Sequence, residues 1–176
     1  MKAVGSEVIL FEPFSNQTAV IGEIVHEFAP LATIIQGAPI EFQIEGSGKN
    51  YIDLHDSNLE VRVKLTAPTG GAIAATTKVS TVNLPLHSLF QSVTIKIAEK
   101  VVTESNNLYP FRALMETVLD YEAEVMKTRL KCEGYEEDVS LDVTDPAGAN
   151  SGLKARQVKF NNSKVVRLIG RLHSDL

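Results

Sequence analysis

The 176 residues suffice for one domain with its own core, without disulfide or metal staples. At 44% apolar and 22% charged the chain has the make-up of a globular protein, and its short, interrupted apolar runs exclude a membrane-spanning helix. The net charge of −5 argues against a dedicated nucleic-acid reader, and the single cysteine, Cys132, excludes an internal disulfide framework and fits a reducing compartment or indifference to redox.

The opening "MKAVGSEVILFEPF" has an apolar run broken by Glu7 and Glu12, which does not make a signal peptide. Through residue 38 the apolar residues (among them Val8, Ile9, Leu10, Phe11, Phe14 and Phe28) follow no sustained period, yet they are too many for a free tail. Residues 1–38 are therefore expected to form an extended N-terminal arm packed on the domain or on a neighbouring subunit, with residues 39–176 as the domain itself.

Period-2 alternation then marks strands with one buried face. "PIEFQIE" sets Ile40, Phe42 and Ile44 against Glu41, Gln43 and Glu45, and "NLEVRVKLT" sets Leu59, Val61, Val63 and Leu65 against Glu60, Arg62, Lys64 and Thr66. "TKVSTVNLPL" is a weaker strand candidate. Val93, Ile95 and Ile97 make a further core-facing row, followed after Ala98-Glu99-Lys100 by Val101-Val102, which reads as a hairpin. One helix interrupts the series at about residues 108–130. Asn107 or Ser105 is placed to cap it, Pro110 stands in its first turn, and Phe111, Leu114, Met115, Val118, Tyr121 and Val125 recur at helical spacing. "RQVKF" is a weak strand candidate, and "VVRLIGRL" closes the series with Val166, Leu168 and Leu172 opposite Arg167 and Arg171. "EGSGKN", "APTGG", "DPAGANSG" and "FNNSK" supply the turns. Many short strands and one helix predict an all-β fold, an antiparallel two-sheet sandwich, because parallel units need a helix after nearly every strand.

Charge is placed unevenly. Glu116 to Asp145 holds ten acidic residues against three basic ones, and Pro146 to Ser174 holds six basic residues and no acidic one. Either these are solvated faces, or they make contacts between copies of the subunit, or the basic segment 154–171 touches nucleic acid non-specifically.

No constellation on the sequence carries chemistry. The histidines His26, His55, His87 and His173 form no local metal-binding pair, and Asp53, His55 and Asp56 in "DLHDSN" read as a polar turn. "GSGK" at Gly46 to Lys49 lacks the glycine spacing and the Ser or Thr of a phosphate loop. His87 and Ser88, adjacent on an extended segment, point to opposite faces and cannot act as base and nucleophile. Carboxylates surround Cys132 and disfavour its thiolate, and Glu136-Glu137-Asp138 reads as a solvated turn. The expectation is a protein that is not an enzyme, with no catalytic, cofactor-binding or metal-ligating residues and no cofactor.

Five phrases carry a resemblance: Pro39-Ile40-Glu41-Phe42, Tyr51-Ile52-Asp53-Leu54, Leu86-His87-Ser88-Leu89-Phe90, Tyr109-Pro110 with Arg112-Ala113, and Leu172-His173-Ser174-Asp175-Leu176. Together the chain resembles, from about Leu10 to Leu176, the capsid proteins of Polinton/Maverick elements and adintovirus-like viruses. The resemblance implies a double jelly-roll major capsid protein. This chain would supply the first antiparallel jelly-roll β-sandwich, with a second jelly roll and minor capsid proteins as partners. Trimeric, pseudo-hexagonal capsomers would tile an icosahedral shell, with no small-molecule substrate. The place implied is the virion capsid, made in the cytosol or nucleus of the host cell and not secreted. The family continues beyond the position of Leu176, so the chain is read as the first half of a longer protein, as a single-jelly-roll minor (vertex) protein, or as a domesticated interaction module. A sugar-binding sandwich is a further alternative, weakened by the absence of tryptophan and the 6% aromatic content.

Overall fold

The computed structural model describes residues 21–35, 37–46, 48–104, 106–145 and 148–175. The first twenty residues of the expected arm, Ser105 as a candidate cap and parts of two expected turns lie outside them. The chain divides into two compact units, Met1–Ile52 and Asp53–Leu176.

In the first unit the described residues form no helix or strand. Backbone hydrogen bonds run from Leu31 N–H to Glu41 C=O (2.8 Å) and from Ala38 N–H to Ile35 C=O (3.1 Å). Phe42 and Ile44 are exposed, and among the described residues the alternating "PIEFQIE" has no strand partner and does not form the expected strand. An alternating pattern stabilises a strand only where a neighbour satisfies its backbone groups and covers its apolar face.

The second unit opens with strand β1 (Asn58–Val63), where the expected alternation holds: Leu59, Val61 and Val63 turn inward. It pairs antiparallel with β4 (Val166–Arg171), from Asn58 opposite Arg171 to Val63 opposite Val166. A second antiparallel pair joins β2 (Thr94–Ile97) to β3 (Lys100–Glu104), the expected hairpin, with a bulge after Ile95. Its turn residues, Ala98 and Glu99, both have positive φ (48° and 66°), the geometry that Asn-Gly adopts at least cost. Ile97 is exposed and Val93 and Ile95 only half-buried, so the hairpin does not fill a core as expected; its buried side chain is Thr103.

Helices connect these pairs. The short α1 (Pro85–Ser88) opens at Leu84, and α2 (Tyr109–Asp120) carries Pro110 in its first turn. Tyr121 takes an extended conformation and ends α2, so the single expected helix at 108–130 divides into α2, α3 (Ala123–Lys127) and a 3-10 turn at Arg129–Glu133. Leu108, rather than Asn107, is the N-cap of α2. The weak strand candidate "RQVKF" belongs to helix α4 (Ser151–Phe160), capped by Asn150 Oδ1 accepting from Leu153 N–H at 3.3 Å.

With two separate two-stranded sheets and four helices among the described residues, the fold is mixed, and the jelly-roll sandwich implied by the resemblance is not formed. A sandwich needs two multi-stranded sheets facing each other over a shared core. Here the buried apolar side chains (Leu84, Leu86, Tyr109, Leu130, Phe160 and Leu168) come largely from helices and turns instead. Among the described residues no helix is long and apolar enough to cross a membrane.

The acidic and basic segments meet within the chain. Arg156, buried on α4, donates through Nε to Thr81 C=O (3.1 Å), through NH1 to Glu136 C=O (2.9 Å) and through NH2 to both Asp138 oxygens (2.8 and 3.1 Å). Lys159 pairs with Glu136 (2.6 Å), Arg167 with Glu60 (2.6 Å) and Arg171 with Asp56. The run Glu136-Glu137-Asp138 is thus part of an internal clamp rather than the solvated turn expected, and much of the basic segment is neutralised at home. Breaking a buried pair of this kind costs about 3–5 kcal/mol, since it strands a charge out of water.

Candidate functional site

His87, expected on an extended segment, lies on α1 with a side chain 1% exposed. A helical turn, not an extended segment, holds it, because the left-handed Leu84 and the fixed ring of Pro85 start the turn there. Ser88 points back onto Pro85 C=O (3.4 Å), so it does not face the histidine as a nucleophile would.

His87 Nε2 meets Glu133 Oε2 at 3.1 Å, and His87 Nδ1 meets the Tyr109 hydroxyl at 3.0 Å. That hydroxyl also accepts the backbone N–H of His173 (3.4 Å). The ring of His173 stands edge-on to that of His87, centroids 4.6 Å apart, and its Nδ1 contacts Glu116 Oε2 at 2.7 Å. Glu116 takes Arg112 Nε (2.7 Å), whose two terminal nitrogens hold both oxygens of Asp175 (3.3 and 2.9 Å). Asp175 N–H in turn donates to the buried Thr103 hydroxyl (3.1 Å).

Local sequence explains how each group arrives. Tyr109, Ala113 and Thr117 stand one turn apart on the buried face of α2, with Arg112 and Glu116 beside them. Glu133 ends the 3-10 turn, which closes on Gly134 at φ 87°. A Cβ at Gly134 would run into the Pro85 ring, so only glycine allows the turn to approach α1. A Cβ at Gly170 on β4 would overlap the Glu133 side chain, so this second glycine leaves the space through which Glu133 reaches the histidines.

The electrostatics follow from burial. Desolvation pushes the Tyr109 hydroxyl up to about 12, so it keeps its proton and serves as a neutral hydrogen-bond bridge. Burial, reinforced by repulsion from His87, lowers His173 below the usual histidine value against the pull of Glu116. The bidentate guanidinium of Arg112 holds Asp175 below the usual carboxylate range.

Three of the five resemblance phrases therefore converge: "LHSLF" brings His87, "YP" with "RA" brings Tyr109 and Arg112, and "LHSDL" brings His173 and Asp175. Sequence spacing missed Glu133 altogether, and it missed the pairing of His87 with His173 because their contact is made only by the fold. Asp53 and His55 stay in an exposed turn, where Asp53 Oδ1 accepts His55 N–H at 3.0 Å, as a polar turn should. Cys132 is exposed and free. In "GSGK", Gly48 takes a left-handed conformation (φ 68°). His173 and Glu116 also line a cleft of about 180 Å³ with His55, Tyr121 and Arg171.

No protein-family model, curated protein or solved structure matches the chain.

Proposed function

We propose that this chain is a structural subunit of a virus-type protein shell, working through contacts with copies of itself rather than through catalysis. One observation carries the reading. Helix α2 buries Tyr109, Ala113 and Thr117 and leaves Phe111 (65% exposed), Met115 (62%), Val118 and Leu119 (75%) in solvent. An apolar face of that kind on one helix marks a protein contact surface, and burying it stabilises an assembly by about 25 cal/mol per Å². The three converging phrases add support, since they form an internal polar brace that fixes the orientation of α2. The resemblance to Polinton/Maverick and adintovirus-like capsid proteins supplies the kind of assembly: trimeric capsomers in a virion shell, here built on a mixed helix-and-strand subunit.

Light scattering after size exclusion, with negative-stain microscopy of the same fractions, tests the reading. Trimers or closed particles are expected as concentration rises. A strict monomer at every concentration contradicts it.

A further inference from the structure

We propose that His87, Glu133 and His173 form a binding site for one divalent transition-metal ion of the zinc class, a property separate from the assembly reading. One ring nitrogen of each histidine and a carboxylate oxygen of Glu133 lie within 4.8 Å of one another. The three side chains are 1%, 5% and 8% exposed, and they come from α1, the 3-10 turn and the segment after β4. Donor atoms about 2.0–2.2 Å from a tetrahedral zinc stand roughly 3.4 Å apart, so small side-chain rotations close the set onto an ion.

Three features argue for a cation rather than a dry hydrogen-bonded cluster alone. The first is charge. Among the described residues no lysine or arginine pairs with the buried Glu133, whose hydrogen-bond partner is the His87 imidazole. A buried carboxylate without a fixed cation is costly, and a divalent ion supplies one. The second is the outer ring of partners. Tyr109 hydroxyl holds the far nitrogen of His87, as outer partners hold ligating histidines in metal sites. Glu116 holds His173 Nδ1; it orients the ring if the ion takes the other nitrogen, or adds a second carboxylate if the ion takes this one. The third is donor type: two imidazoles and a carboxylate suit zinc, cobalt or nickel better than calcium or magnesium, which favour all-oxygen shells. A cleft lined by His173 and Glu116 borders the set on the His173 side. On binding, His87 Nε2 gives up its contact with Glu133 to the metal, and Nδ1–H donates to the Tyr109 oxygen.

The test uses the full chain without a histidine tag, stripped by chelator and titrated with Zn²⁺ and with Co²⁺. One equivalent is expected to bind, with the visible absorption of tetrahedral Co²⁺ and with shifts of two imidazole spin systems in the wild-type NMR spectrum. Glu133→Gln and His173→Gln are expected to abolish this stoichiometric binding, and Tyr109→Phe to weaken it by about 10- to 100-fold. His55→Ala, in the exposed turn, is expected to leave it unchanged. Absence of binding to the wild type overturns the proposal, as do unmoved imidazole signals or binding that disappears in His55→Ala. The wild-type NMR result decides the matter even if a buried variant fails to fold.

Discussion

The two faces of α2 reverse the usual order of a helix in a globular protein. Its inner face packs Tyr109, Ala113 and Thr117 with Arg112 and Glu116 against a polar network, and its outer face turns Phe111, Leu114, Met115, Val118 and Leu119 to solvent. A helix on a lone globular domain buries its apolar stripe because that is where most of its stability originates. Here specific hydrogen bonds and ion pairs hold the inner face, and the apolar stripe stays exposed among the described residues; in the proposed function it is the contact surface. The difference separates two roles on twelve residues: the inner face fixes where the helix sits, and the outer face is the one the proposed assembly would use.

The largest effect that would break this division is on the inner face. Tyr109→Phe removes the hydroxyl that serves both His87 Nδ1 and His173 N–H, and is expected to lower unfolding free energy by about 1–3 kcal/mol in urea denaturation. A loss of only a few tenths would mean that the network does not hold the helix. Thr117→Val should act the other way. Its Oγ1 is buried without a hydrogen-bond partner, so the isosteric replacement is expected to stabilise by up to about 1 kcal/mol. On the outer face, Phe111→Gln with Met115→Glu is expected to change monomer stability by no more than about 0.5 kcal/mol, since neither side chain is packed within the subunit.

The smallest effect is a pH dependence. Asp175 is held below its ordinary value of 3.8 by Arg112, so it binds fewer protons in the folded than in the unfolded chain. Its contribution is fully present above about pH 3.8 and is lost as pH falls through the lower folded value. Asp175→Asn is expected to flatten that part of the acid limb of the stability curve while leaving it unchanged near neutrality in shape. The group is exposed, so the change is small and weakens further with salt.

How far these features are legible in the sequence varies with how local their causes are. The alternation of Leu59, Val61 and Val63 predicts β1, and the Val93-to-Val102 pattern predicts the hairpin, because each strand finds a partner. "PIEFQIE" alternates just as well, yet among the described residues no strand pairs with it, so pattern alone misleads there. In "RQVKF" the short apolar spacing suggests a strand, while the deciding residues are the Asn150 cap and the polar Arg156, whose buried side chain anchors α4 through Asp138. The apolar spacing of α2 is plain in the sequence; that it faces outward is not, because the competing inner face is held by partners far along the chain. The same holds for the site. Histidine spacing along the sequence finds no ligand pair, whereas His87 meets Glu133 46 positions away and Tyr109 meets the backbone of His173 64 positions away. The phrases "LHSLF", "YP" and "LHSDL" were the available signal, each carrying a polar group among apolar neighbours.

Sedimentation velocity of the wild type beside Phe111→Gln/Met115→Glu, over a range of concentrations, tests the division between the two faces most directly. The wild type is expected to sediment as trimers or larger species, and the double variant as a folded monomer. Equal association of the two proteins, or a wild type that stays monomeric throughout, would contradict the account.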